Sequence, residues 1–266
     1  MAIVRVSFYS SRLQRTVPFT AFLPNDGAIF PGQEAPYVTG EMRTLYLLHG
    51  MMGDENDFLS NTRVKELSEK YKIAVIMPAG ENRFYVDDEA GVFHYGKYIG
   101  EELVEYTRRI FRLSDKREDT YIGGLSMGGY GAMRNGLLYA ETFSKICAFS
   151  GAYIPIRIVD NGGEPFEDQI SGKAFQEYAF GNLKTLEQRG IDPRALYRMQ
   201  KSKDVKLPKI FMTIGTEDDL IDVNRKLHAA LVKENADLTY IEDSGIHNWD
   251  FWNKYMEEAF VWLTNE

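Results

Sequence analysis

The stretch Tyr121-Ile122-Gly123-Gly124-Leu125-Ser126-Met127-Gly128-Gly129-Tyr130-Gly131 constrains the fold more than any other in the chain. Apolar residues lead into it as at the end of a buried strand, and a helical pattern runs out of it from Met127 to Tyr139. Between them lies Gly124-x-Ser126-x-Gly128, the spacing of a sharp strand-to-helix turn that stands a serine proud of a sheet. At such a turn strand and helix approach so closely that side chains two residues before and after the serine would collide, so glycine is needed at both. Gly128, Gly129, Gly131 and Ala132 are small where the helix would press on the sheet. A serine displayed this way suits attack on a carbonyl, provided the chain also supplies a base, a carboxylate and donors for an oxyanion.

Around this turn, apolar runs alternate with helical patterns. Ile3 to Tyr9 alternates in character and Val17 to Leu23 is extended, and together they predict an antiparallel hairpin at a sheet edge. A Gly- and Pro-containing loop fills 24–42. Thr44-Leu45-Tyr46-Leu47-Leu48 and Ile73-Ala74-Val75-Ile76-Met77 are continuous apolar runs, as in strands covered on both faces. A helix is expected from about Asn61 or Thr62 to Tyr71, and another over 97–111, with Ile99, Leu103, Tyr106 and Ile110 on one face. Further strands are expected at 145–150, 209–214 and 238–242, and helices from Val223 to Glu234 and from Asn248 to Leu263. Residues 152–207 hold no convincing strand; helices near Lys173 to Phe180 and Pro193 to Gln200 mark them as an insert or cap between two core strands. The pattern predicts one α/β domain spanning 1–266, with a mostly parallel central sheet and helices on both faces. Loops 49–53, 126–128, 215–219 and 245–248 would then share the carboxyl edge of the sheet, where open α/β sheets bind ligands.

The chain has 266 residues, 44% of them hydrophobic, and a formal net charge of -8. That balance argues against nucleic acid as a partner, because phosphate binding needs a basic face. The single cysteine, Cys147, sits in an apolar run and is read as a structural thiol; it excludes an intramolecular disulfide. No run approaches the roughly 20 apolar residues that span a bilayer, and no basic region followed by a long apolar core opens the chain, so no membrane association and a cytoplasmic location are expected. Homo-oligomerisation is left open.

Four histidines compete for the role of base. His247, in Ser244-Gly245-Ile246-His247-Asn248-Trp249, follows the last strand on a short loop and can project over the sheet edge. His228 lies within a helix, His94 in an aromatic loop, and His49 ends its strand beside Gly50, where a structural hydrogen bond is expected. The carboxylate that orients the base should follow strand 209–214, where Asp218 and Asp219 are the rivals. Ser126, then an aspartate, then His247, each after a different strand, is the chain order of α/β-hydrolases. The oxyanion donors expected are the amide of Met127, after the serine, and the amide of Met51, with Gly50 admitting close backbone approach.

With these residues in place the chain resembles the esterase D-like branch of the α/β-hydrolases, which includes tributyrin and acetyl esterases, feruloyl and acetyl-xylan esterases, and S-formylglutathione hydrolases. The resemblance rests on Leu45-Tyr46-Leu47-Leu48-His49-Gly50-Met51, Gly124-Leu125-Ser126-Met127-Gly128-Gly129-Tyr130-Gly131, Gly215-Thr216-Glu217-Asp218, and Gly245-Ile246-His247-Asn248-Trp249 with Trp252. It selects Asp218 over Asp219, since the family's acid is the third residue after the glycine ending its strand. It implies a serine carboxylesterase acting on small, short-chain acyl esters without metal or organic cofactor. Met51-Met52 stand where S-formylglutathione hydrolases usually carry a cysteine. Feruloyl or acetyl-xylo-oligosaccharide esterase, thioesterase, acyltransferase and non-catalytic scaffold are the alternatives. Gly50, Tyr85 and Trp249 are the substrate-binding candidates. The aromatic loop 84–95 and the insert's Phe166, Phe175, Tyr178 and Phe180 would either line the pocket or pack as ordinary surface.

Overall fold

The computed structural model describes residues 1–29, 31–32, 35–167 and 172–265. Positions 30, 33 and 34 of the 24–42 loop and 168–171 of the insert lie outside the described residues.

Eight strands form one sheet: β1 (Ala2–Ser10), β2 (Arg15–Leu23), β3 (Arg43–Leu48), β4 (Ile73–Pro78), β5 (Thr120–Leu125), β6 (Lys145–Phe149), β7 (Lys209–Gly215) and β8 (Leu238–Asp243). Their order is β1-β2-β4-β3-β5-β6-β7-β8. β1 and β2 pair antiparallel, as does β2 with β4, and every later pair is parallel. The helices are α1 (Asp57–Asn61), α2 (Val64–Tyr71), α3 (Tyr95–Lys97), α4 (Leu103–Ile110), α5 (Met127–Leu138), α6 (Ile154–Asp160), α7 (Lys173–Phe180), α8 (Pro193–Lys201), α9 (Ile221–Lys233) and α10 (Trp249–Thr264).

The continuous apolar strands are explained by two cores, one on each face of the sheet. In β4, Ile73, Val75 and Met77 point into a core with Phe58, Leu67 and the α10 residues Trp252, Met256 and Phe260. Ala74 and Ile76 point the other way, into a core with Leu103, Met133, Leu137 and Leu227. Alternate residues of a strand face opposite sides, so a strand covered twice has no polar parity to show. β8 closes one edge with every residue only half-buried.

Two helical expectations need correction, and two helices were not expected. The helix expected from about Asn61 or Thr62 to Tyr71 is α2, which begins only at Val64 after the extended Thr62; a short helix not expected from the sequence, α1, precedes it and ends at Asn61. The helix expected over 97–111 contains a π-turn, Tyr98–Glu102, between α3 and α4. A π-turn holds an extra residue per turn, so the period is interrupted between Ile99 and Leu103, while Ile110 is simply the last residue of the regular α4 before the extended Phe111. Tyr98, Ile99, Leu103, Val104 and Thr107 are buried, while Ile110 is 42% exposed. The insert opens with α6, which the sequence reading did not anticipate; Pro155 sits in its first turn.

Candidate active site

The carboxyl edge of the parallel strands carries the site. Ser126 lies between β5 and α5 with φ 55° and ψ -119°, backbone angles a serine adopts only under constraint. The constraint is visible. Its amide donates to Phe149 O at 2.9 Å, and its carbonyl accepts from the amides of Ala152 (2.9 Å) and Tyr130 (3.0 Å). A Cβ on Gly124 would stand 2.4 Å from Gly128 O, and one on Gly128 2.0 Å from Leu48 O. The elbow therefore closes only with glycine at both places.

The loops after β7 and β8 are brought together by a second glycine contact. A Cβ on Gly215 would meet Gly245 O at 2.1 Å. Thr216 N donates to Asp243 O (2.8 Å), Glu217 N to Gly245 O (3.1 Å), and Gly245 N to Glu217 Oε2 (2.6 Å). Asn248 then caps α10 by accepting from Phe251 N at 3.0 Å, which fixes the chain immediately after His247.

The result is a hydrogen-bonded line across three loops. His247 Nδ1 is 2.8 Å from Asp218 Oδ2, and His247 Nε2 is 2.9 Å from Ser126 Oγ. Asp218 is 2% exposed, and its other oxygen accepts from Leu220 N at 2.9 Å. An Nδ1–H donated to the carboxylate leaves the Nε2 lone pair facing the serine hydroxyl, as a base requires. Asp219 is exposed and makes no such contact among the described residues. The imidazole also packs edge-to-face on Trp252 (centroids 4.9 Å), whose indole N–H donates to Ser150 Oγ at 3.1 Å.

Beside the serine, the loop after β3 presses close: a Cβ on Gly50 would lie 2.8 Å from Leu125 Cδ1 and 3.5 Å from Ser126 Cβ. Among the described residues neither the Met51 nor the Met127 amide donates a hydrogen bond, so both are free for an acceptor in the cavity they line. His49 braces this loop. It is buried, with Nδ1 2.6 Å from Gly50 O and Nε2 accepting from Gly80 N at 2.8 Å. Burial holds its pKa below the usual histidine value, partly offset by its bond to Gly50 O. The neutral ring is what these two contacts need.

Tyr85, a substrate-binding candidate from the sequence, does not line the cavity. It is fully buried, and its hydroxyl donates to His49 O at 3.0 Å, supporting the same loop from below. Phe84 lines the cavity instead. Both residues have positive φ, 52° and 56°, so strand-like alternation does not tell which points out. Of the insert aromatics, Phe180 packs on Phe84 (centroids 4.9 Å) and Tyr130 (5.9 Å), and Phe175 on Phe84 (6.1 Å). They back the wall rather than form it. His228 stacks on Tyr240 at 3.9 Å, away from the serine, and Cys147 is buried in β6.

The cavity over Ser126 has a volume of about 650 Å³. Gly50, Met51, Met52, Trp249 and Trp252 line it, together with Phe84, Ile154 and Leu220. Its charged lining consists of Asp57, Asp218, Asp219 and Arg157 besides His247. Burial raises the pKa of the Asp57 carboxyl, and the nearby His49 opposes that shift. No group of three or more His, Cys, Asp or Glu is placed to hold a metal ion among the described residues.

The mostly parallel sheet and its edge site define an α/β-hydrolase-fold serine hydrolase. The Esterase family model, described as "Putative esterase", matches residues 10–263. The chain belongs to that family and is a carboxylic ester hydrolase. It is 42% identical to an acetyl esterase of Caldicellulosiruptor saccharolyticus over 99% of this chain and 98% of that one. Among solved structures it is similar to the fluorophosphonate-binding serine hydrolase FphF of Staphylococcus aureus, with TM-score 0.84, 27% identity, and coverage of 100% of this chain and 99% of that one. It is likewise similar to the S-formylglutathione hydrolase FrmB of Staphylococcus aureus, with TM-score 0.82, 27% identity, and coverage of 99% of both chains.

Proposed function

We propose that the protein hydrolyses acetyl and other short-chain esters through a covalent acyl-enzyme on Ser126. His247 Nε2 takes the proton of Ser126 Oγ as that oxygen attacks the ester carbonyl. Asp218 holds the imidazole in the required tautomer and stabilises the imidazolium. The amides of Met51 and Met127 receive the oxyanion of the tetrahedral intermediate. His247 then gives its proton to the leaving alcohol. Water, deprotonated by the same histidine, releases the acid and restores the serine. None of these steps requires a metal or organic cofactor.

The observation that carries this reading is the Asp218–His247–Ser126 line, at 2.8 and 2.9 Å, opening into a cavity of about 650 Å³. Identity to an acetyl esterase supports the short acyl chain. Residues 152–207 act as a cap within a single domain, a reading supported by Ala152, Ile154 and Arg157 in the cavity wall. The substrate is a small ester met in the cytoplasm.

Similarity to an S-formylglutathione hydrolase favours a thioester as second substrate class. The test is a series of p-nitrophenyl esters of increasing chain length, with methyl ferulate, an acetylated xylo-oligosaccharide and S-formylglutathione, on wild type and Ser126→Ala. Greatest kcat/KM on acetate to butyrate, abolished by Ser126→Ala, is expected. Full activity in Ser126→Ala would refute the proposal. A higher kcat/KM on the thioester would move the assignment to the second reading.

A further inference from the structure

The cavity holds one basic side chain that the chemistry above does not use. Arg157, on α6, lines the wall and forms no ion pair with any described residue. Its guanidinium lies over the Phe166 ring at 4.2 Å, so the plane is held while its N–H edges stay free. Arginines elsewhere on the same insert are engaged: Arg194 pairs with Asp192 and Asp160, and Arg189 with Glu89.

The other fixed charges in the cavity are acidic. Asp218 is committed to His247, and Asp57 and Asp219 make no ion pair among the described residues. A ligand carboxylate would be repelled from the walls holding these aspartates and attracted to the wall holding Arg157. In a protein of net charge -8 there is no diffuse positive field that would otherwise draw an anion in.

We propose that Arg157 is a specificity residue for esters that also carry a free carboxylate, separated from the scissile bond by a short spacer, either on the alcohol or on the acyl group. Its planar fork matches a carboxylate in two parallel hydrogen bonds, and stacking on Phe166 pre-orients it. This rests on the Ser126 esterase reading and deepens it by naming a substrate class. A charge-assisted bond in a partly open site changes kcat/KM by about tenfold or more. Because that site is in contact with solvent, salt weakens the preference.

The test compares matched pairs. For the alcohol side, 4-acetoxybenzoate is set against 4-acetoxybenzamide. For the acyl side, methyl hydrogen adipate is set against its neutral monoamide. The expected result is a preference for the charged member of at least one pair in wild type, falling about tenfold in Arg157→Leu and by less in Arg157→Lys. The pair that responds identifies the half of the ester Arg157 reads. No preference in wild type, or a preference unchanged in Arg157→Leu, would overturn the proposal. Binding of adipate to wild type and Arg157→Leu by calorimetry asks the same question without turnover: equal affinities would also overturn it. Failure of the esterase reading is recognised separately, by neutral esters that remain unhydrolysed while adipate still binds through Arg157.

Discussion

Gly128→Ala tests the link between the fold and the proposed oxyanion site. An added Cβ would lie 2.0 Å from Leu48 O, 2.6 Å from Leu48 C and 2.6 Å from His49 O. These are backbone atoms, so no rotamer change relieves the contact. To reach 3.0 Å, below which real Cβ contacts are essentially absent, the start of α5 and the end of β3 must part by about 1 Å. Met127 precedes residue 128, and Met51 follows the displaced Leu48 and His49 carbonyls by three and two residues, so this separation moves the two proposed amide donors apart. The steric cost falls at the upper end for overpacking, about 3 kcal/mol. For a chain of this size it lowers Tm by roughly 6–12 °C. A shift of about 1 Å between donors and nucleophile costs on the order of 100-fold in kcat. The assay pairs a circular-dichroism melt with p-nitrophenyl acetate kinetics, using Gly40→Ala as control because a Cβ there meets nothing within 4 Å. If Gly128→Ala melted with the control and kept its kcat, the steric account of the elbow would be refuted.

Three further outcomes can be checked with the same preparations. Asp218→Asn should lose about 10⁴-fold in kcat while Asp219→Asn loses less than about tenfold; steady-state kinetics that rank them the other way would reassign the acid. The buried His49 has a lowered pKa, so the unfolded chain binds a proton that the folded one resists, and stability rises with pH. Its contribution is complete above the unfolded value of about 6.5 and is lost as pH falls toward the lower folded value; urea midpoints should therefore decline more steeply below that pH in wild type than in His49→Gln. Cys147 is buried and its thiol pKa is pushed up by desolvation, so a disulfide reagent at pH about 8 should find no reactive thiol until denaturant is added.

The parts of this molecule legible in the sequence are those where local sterics dictate residue type. The elbow glycines answer to carbonyls at 2.0 to 2.4 Å, and no other residue fits. Asp218 and His247 each lie on a short loop after a strand, pinned by the Gly215–Gly245 contact, so chain order points to the loop after β7 and to His247 as partners of Ser126, while the choice of Asp218 over Asp219 needed the family resemblance. The β1–β2 hairpin was readable because Ile3, Arg5, Ser7 and Tyr9 all face outward on an edge strand. What could not be read depends on geometry that leaves no periodic trace. The π-turn at Tyr98–Glu102 interrupts the period between Ile99 and Leu103, and Ile110 is the last residue of α4, where the chain turns extended at Phe111 and the periodic face loses its core contact. Phe84 and Tyr85 exchange pocket and core because both adopt positive φ. Ile154 and Arg157, three apart on α6, face the cavity through the direction in which the chain leaves β6. A short helix following Ser150-Gly151 gave no apolar stripe long enough to orient in advance.

The central claim is that Ser126 is the nucleophile, activated by His247. Its most direct measurement is site-specific labelling by a fluorophosphonate probe, read by intact mass and peptide mapping. A single adduct on Ser126 is expected, absent in Ser126→Ala and strongly slowed in His247→Ala. A stable adduct on another residue, or undiminished labelling of Ser126→Ala, would contradict the account.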